Sequence, residues 1–336
     1  MIKFVAKLTV AVLFAAGTAL AADSVTPFVG NWALILPGNV PGWLGIAPKG
    51  DQLEGSMLWG WSSPFPVEQV AVKGQVLAFT RIRTVPRKDE TGKVIRTDRL
   101  ADTFTGTVEW DAIKVTLLRS HDNDAGVDKQ EFAGKRIPPV PPAPNLAKVK
   151  FGDAIPLFNG KDLTGWRLLN PKAPNGWSAE GGILVNRAPQ EEGKPHKNYG
   201  NLRTDREFED FNLTLEARVP KDGNSGVYLR GLYEIQVMDS FGKPLDPHNM
   251  GALYGRIQPA VSAEKPVGEW QTLDITLVAR HLTVVLNGRK IINNQPVLGI
   301  TGGALTADEF KPGPIYLQGD HTGIEYRNLV LRPVAK

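Results

Sequence analysis

Along much of this chain apolar and polar residues alternate one by one. In "FNLTLEARV", Leu213, Leu215, Ala217 and Val219 share one side and polar residues take the other. A period of two predicts a β-strand with one buried face. "GVYLRG" puts Val227 and Leu229 on an inner face. "WQTLDITLVARHLTVVLNGRKII" predicts two long strands, with a second turn at Asn287-Gly288, a favoured hairpin dipeptide. "GPIYLQGDHTGIEYRNLVLRPV" predicts the last two strands. Upstream, "NWALIL", "QLEGSMLWGW", "QVLAFTRIR", "DTFTGTVEW" and "AIKVTLLR" are separated by turn residues and predict a small antiparallel barrel or sandwich. No long stretch carries a helical period, so the expected class is all-β.

The main boundary is "RIPPVPPAPNLAKVK". Five prolines between 138 and 144 favour polyproline II, a semi-rigid spacer. It divides an N-terminal β domain (24–136) from a C-terminal domain (150–336), with a linker over 137–149. Ten or more strands in roughly 180 residues imply a two-sheet sandwich.

Composition narrows the function classes. With 42% hydrophobic and 22% charged residues among 336, the chain is globular rather than disordered. Net charge is only +4, with no basic cluster or RNA-binding motif, so a nucleic-acid partner is not expected. The absence of cysteine excludes disulfides, thiolate metal sites and a Cys nucleophile. The N-terminus, "MIKFVAKLTVAVLFAAGTALAADS", has Lys3 and Lys7, then the apolar run 8–16, then Ala19-Leu20-Ala21. That is the pattern of a cleavable secretory signal over residues 1–21, too short to span a bilayer comfortably. A periplasmic or secreted location follows as the expectation, and no other segment approaches a membrane span.

Candidate chemistry centres on "YEIQVMDS", residues 233–240. On a strand, Glu234 and Gln236 point one way and Ile235 and Val237 the other. Tyr228 and Arg230 stand just before, and Asp239 just after. Such a polar row is either a solvated sheet face or the floor of a cleft. The five histidines (121, 196, 248, 281, 321) show no H-x-H or H-E-x-x-H spacing, so no metal site is expected. "DNDAGVD" starts like a calcium loop but has Ala133 where an EF-hand needs Glu, and reads as a hairpin loop. "GNSGVYLRG" enters a strand rather than a helix, which excludes a nucleotide loop, and G-x-S-x-G is absent.

Three segments, "IPLFNGKDLTGWR", "GNSGVYLRGLYEIQVMDS" and "GPIYLQGDHTGIEYRNLVL", occur in an order and spacing that resemble the 3-keto-disaccharide hydrolase domain family over residues 153–334. The resemblance implies a concanavalin-like jelly roll with carbohydrate in its concave sheet, and cleavage of glycosides oxidised at C3. The opening "VGNWAL" resembles the Gly-x-Trp start of lipocalin-like barrels. Trp59 and Trp61 can stack on sugar rings or be partly buried barrel residues. "NGKDLTGW" reads as structural, with a turn at Asn159-Gly160, Asp162 bonding nearby backbone and Trp166 packed inward.

Glucanases of the same fold class carry E-x-D-x-x-E. Here the matching positions are Glu234, Gln236 and Asp239, and a bulge would be needed to aim Asp239 at the same face. Gln cannot ionise, so a double displacement between two carboxylates fits poorly. A 3-keto sugar offers another route, because the ketone acidifies the C2 hydrogen. A base removes it, the aglycone leaves from C1, and water adds to the enone. The expected roles are Glu234 as base, Arg230 holding the enolate, and His321 as acid or second base, with Asp239 or Asp320 orienting it. Tyr228, Gln236 and Tyr254 are candidate substrate contacts, and Trp270 is expected in the core. Glu234 and Arg230 can equally pair across their tight turn. No cofactor is required, although a divalent ion such as calcium on the ketone oxygen would help. The competing reading is a non-catalytic, lectin-like carbohydrate binder.

Overall fold

The computed structural model describes residues 25–122, 126–191 and 193–335. The expected signal sequence, and residues 123–125 of the "DNDAGVD" loop, lie outside them.

The N-terminal strands are β1 (Gly30–Leu36), β2 (Val40–Lys49), β3 (Gln52–Trp59), β4 (Phe65–Lys73), β5 (Val76–Lys88), β6 (Val94–Glu109), β7 (Ala112–Ser120) and β8 (Val127–Ile137). They form a closed antiparallel barrel, with β1 returning to β8 from Asn31 opposite Ile137 to Ile35 opposite Ala133. Closure leaves no open sheet edge. Alternate residues fill the interior, among them Trp32, Leu34, Leu44, Met57, Phe79 and Phe104. Trp59 packs edge-on against Phe104 and Phe132, whereas Trp61 is 72% exposed.

The C-terminal strands are β9 (Ile155–Pro156), β10 (Trp166–Leu168), β11 (Trp177–Glu180), β12 (Ile183–Asn186), β13 (Leu202–Thr204), β14 (Phe211–Arg218), β15 (Asn224–Leu229), β16 (Tyr233–Met238), β17 (Trp270–Val278), β18 (His281–Leu286), β19 (Arg289–Pro296), β20 (Tyr316–Leu317) and β21 (Ile324–Pro333). They build a sandwich, as expected. One sheet runs β10-β13-β20-β15-β16, the other β11-β12-β21-β14-β17-β18-β19, with β9 beside β21. The segment read as two long strands is in fact three. Ala279-Arg280 and Asn287-Gly288 both take positive φ, which suits tight hairpins.

β14 alternates buried and half-buried residues along its whole length, the signature of one core face and one wet face. β15 and β16 do not: Ser225 to Val237 is buried throughout. Their inner face, Val227, Leu229, Ile235 and Val237, joins the core. Other parts of the chain cover their outer face and their free edge. Along that edge Gly251 and Tyr254 donate backbone N–H bonds to the carbonyls of Gln236 and Glu234.

The barrel is docked onto the sandwich. Trp43, Leu58 and Ile137 point outward from the barrel and belong to the sandwich's apolar core. This explains why both Trp43 and Leu44 are apolar: each face of β2 is buried there. The Arg256 guanidinium lies over the Trp43 ring at 4.4 Å. Burying one indole contributes at most on the order of 4–5 kcal/mol by area. The proline-rich linker is also held, its Pro138 and Pro139 carbonyls accepting from Arg280 and that of Pro144 from Asn294. It is a strap on the sandwich rather than a free spacer.

"NGKDLTGW" forms the expected turn. Asn159 Oδ1 accepts from the Lys161 and Asp162 amides, and Trp166 is buried with its Nε1 donating to the Leu157 carbonyl. Trp270, expected in the core, is instead half-buried between the guanidinium groups of Arg218 and Arg327, which stack on it at 4.9 and 4.0 Å. It begins β17 on the polar side of the alternation, where cation–π contact replaces burial.

Candidate functional site: a buried carboxyl on the five-stranded sheet

The hairpin β15–β16 sets Tyr228 directly opposite Glu234 and Gly226 opposite Gln236. Period-two geometry puts all four on the outer face. Tyr316, from β20, pairs with Tyr228 and stacks on its ring, with centroids 3.9 Å apart and planes 13° from parallel. The loop 301–305 lies over this face. Thr301 Oγ1 accepts the Glu234 amide, Tyr316 Oη donates to the Gly303 carbonyl, and Tyr228 Oη sits 2.9 Å from the Gly302 carbonyl. Gly226 makes room for the carboxyl: a Cβ there would lie 2.3 Å from Glu234 Oε1.

Glu234 is 4% exposed. Burial pushes its carboxyl up from 4.5 to about 8, with Asp320 adding to the rise and Tyr228 and His321 opposing it. Hydrogen-bond bookkeeping supports a neutral form near pH 7. Tyr228 has one proton but two acceptors, Glu234 Oε2 at 2.8 Å and the Gly302 carbonyl at 2.9 Å. If Glu234 is ionised, one of them goes without. If Glu234 is protonated, its O–H donates to Tyr228 Oη, and the phenol proton serves Gly302, so every group is satisfied. Burial also keeps the Tyr228 and Tyr316 phenols protonated far beyond neutral pH.

His321 stands in the β20–β21 loop, which meets β15 where the Gln318 amide donates to the Gly226 carbonyl. Its side chain is 43% exposed, and Nδ1 lies 2.9 Å from Asp320 Oδ1. That pairing, helped by the charge of Glu234, raises His321 above its ordinary value against an opposing burial effect. Asp320 fixes Nδ1–H, leaving Nε2 to exchange a proton. A shielded carboxyl and a partly exposed imidazole are thus electrostatically coupled.

The other sequence candidates are distributed differently. Gln236 shares the face of Glu234, but its Oε1 accepts from the Val237 amide. Tyr254 gives its backbone N–H to Glu234 and its ring to an edge contact with His248. β16 has no bulge, so Asp239, at an odd spacing from Glu234, is not turned to the same face. Its carboxylate accepts the Asp222 amide instead. Arg230 does not pair with Glu234 either. It sits at positive φ in the turn, and Nη2 donates to the Glu309 and Lys311 carbonyls. There it joins a second buried polar group, in which Tyr233 Oη donates to Glu309 Oε1 and burial lowers Arg256 to about 10. Among the described residues no cluster of three His, Asp or Glu is placed to hold a metal.

Sequence reasoning did not single out Tyr316, Thr301 or Gly226. The register of the hairpin was readable from its short turn, and would have paired Tyr228 with Glu234. Tyr316 comes from about ninety residues further on, and no local signal points to it.

Fold and site together define a two-sheet β-sandwich with a buried carboxyl and a coupled His–Asp pair, extended by a β-barrel. The chain belongs to the family described as the 3-keto-alpha-glucoside-1,2-lyase-like domain, which matches residues 153–332. It is 28% identical to a 3-keto-disaccharide hydrolase of Bacteroides thetaiotaomicron, over 36% of this chain and 51% of that one. It therefore spans about half the length of that curated relative. Among solved structures, a candidate glycosyl hydrolase from Parabacteroides distasonis is 29% identical, covering 60% of this chain and 94% of its own, with a TM-score of 0.46. A second from the same organism is 25% identical, covering 55% and 100%, with a TM-score of 0.41.

Proposed function

We propose that this protein is a carbohydrate-active enzyme that cleaves the glycosidic bond of 3-keto glycosides by elimination followed by hydration. It would work in the periplasm or outside the cell after loss of residues 1–21, a location supported by the N-terminal sequence. The carrying observation is Glu234: one buried carboxyl, hydrogen-bonded to Tyr228, raised to about 8 and electrostatically coupled to the His321–Asp320 pair. A carboxylate of raised pKa is a stronger base for a C–H proton, and at pH 7 about a tenth of it is ionised.

In this reading Glu234 removes the C2 hydrogen. Arg230, which the sequence suggests for holding the enolate, is bonded to the Glu309 and Lys311 carbonyls instead. The His321 imidazolium, oriented by Asp320, protonates the departing glycosidic oxygen, and water then adds across the enone. Asp239 is bonded to the Asp222 amide and has no part, which argues against a two-carboxylate displacement.

The test is release of nitrophenol from 4-nitrophenyl 3-keto-α-D-glucopyranoside and from the unoxidised glucoside by wild type, Glu234→Gln and His321→Ala. Turnover of the keto substrate alone, lowered at least a hundredfold by Glu234→Gln, is expected. Equal turnover of both substrates would point to an ordinary glycosidase. Sugar binding with no turnover would establish the lectin-like alternative.

A further inference from the structure

The family match begins at residue 153, so the barrel lies outside it. We propose that the barrel completes the sugar site, with Trp61 as a platform for the ring on the leaving-group side of the bond. This rests on the functional reading above and deepens it.

Four observations meet at one point. Trp61 is 72% exposed, while Trp59, two residues earlier, is packed in the barrel. Exposure alone decides nothing, since Trp110 is more exposed still, in the turn between β6 and β7. What separates Trp61 is its neighbour. The Gly302–Gly303 backbone, which receives the Tyr228 and Tyr316 hydroxyls, is the strip on which the Trp61 segment rests. A Cβ on Gly302 would stand 2.6 Å from the Ser62 carbonyl oxygen and 2.8 Å from that of Trp61. A Cβ on Gly303 would stand 2.5 Å from Tyr228 Oη and 3.3 Å from Trp61 Cε3. The indole and the Tyr228–Glu234 pair therefore flank a single glycine.

The platform is also held rigid. Ser62 bonds back to the Trp59 carbonyl through both its amide and its hydroxyl. Ser63 Oγ lies 2.8 Å from His248 Nε2, and His248 Nδ1 lies 2.6 Å from Asp246 Oδ1. The hydrogen-bonded chain Ser63–His248–Asp246 clamps the barrel loop to the sandwich. A rigid aromatic face beside a polar site suits the apolar C–H face of a pyranose, and pre-organisation lowers the entropic cost of binding it. The second ring then lies on the indole, on the opposite side of Gly303 from Tyr228.

The experiment compares wild type, Trp61→Ala and Trp61→Phe on 3-keto-trehalose and on methyl 3-keto-α-D-glucopyranoside, with thermal melts confirming that all three fold. Trp61→Ala is expected to raise KM for the disaccharide about tenfold, equivalent to ~1.4 kcal/mol. kcat should stay within twofold, the methyl glycoside should be unaffected, and Trp61→Phe should recover most of the loss. An unchanged KM, or an equal rise for both substrates, overturns the platform. If wild type turns over neither substrate, the functional reading fails, and calorimetric binding of trehalose decides the platform alone. Binding weakened by Trp61→Ala keeps it. Binding unchanged by the substitution, or absent from wild type, sinks it.

Discussion

Replacing Glu234 by Gln should make the protein more resistant to alkaline unfolding, and by an amount set by burial. The amide matches the carboxyl in shape. Its Nε2 can donate to Tyr228 Oη as the protonated acid does, and its oxygen can occupy the space left by Gly226. In the wild type the carboxyl titrates near 4.5 when unfolded and at about 8 when folded. Between those values the folded state holds a proton that the unfolded state has released. The stabilisation is complete below pH 4.5, declines as pH rises, and is gone above about 8. A tenfold difference in proton affinity between the two states is worth about 1.36 kcal/mol, so the whole window, from 4.5 to about 8, amounts to something on the order of 5 kcal/mol. For the roughly 315 residues that remain after loss of 1–21, unfolding as a unit, that is ~7 °C in Tm. Urea unfolding of wild type and Glu234→Gln from pH 5 to pH 9 measures it, because titrations not coupled to Glu234 cancel in the difference, and repeating the pair in a His321→Ala background removes the coupled one. The gap should widen in favour of Glu234→Gln up to about pH 8 and then level off. Parallel curves across the range would refute the claim that this carboxyl is buried in its neutral form. A protonated-carboxyl infrared band at pH 7, missing in the variant, is the direct spectroscopic check.

Two further outcomes follow from the same geometry. Tyr228→Phe removes the donor to the ionised carboxylate, so the rising limb of kcat/KM against pH should move above pH 8, at a stability cost of about 1–2 kcal/mol; a limb moving to lower pH would contradict the assigned bond. Arg230→Met should lower stability by about 2–4 kcal/mol in denaturant titrations through loss of two charge-assisted bonds, while changing kcat/KM less than threefold. A loss of activity beyond a hundredfold in a folded Arg230→Met variant would return that residue to the site.

The periodic features were legible in the residues alone. Alternation along 211–219 marks β14 and its core face, the Asn287-Gly288 dipeptide marks a hairpin, and "NGKDLTGW" announces its own turn. Even Glu234 was legible, because an acid on a strand whose neighbours are apolar has only two faces to choose from. What that face meets depends on the assembled fold. Strand periodicity says that Glu234 and Ile235 point apart. It cannot say that the loop 301–305 and Tyr316 will cover the polar side and raise a carboxyl to about 8. It could not place Arg230 either, since one positive-φ turn residue sends the guanidinium to the Glu309 and Lys311 carbonyls rather than across the hairpin. Nor could it separate Trp59 from Trp61, which differ only in whether the strand has ended before the side chain emerges. Local rules act over two to four residues. Desolvation, hydrogen-bond competition and domain docking are properties of groups brought together from sixty to two hundred residues apart, as Ser63 and His248 are.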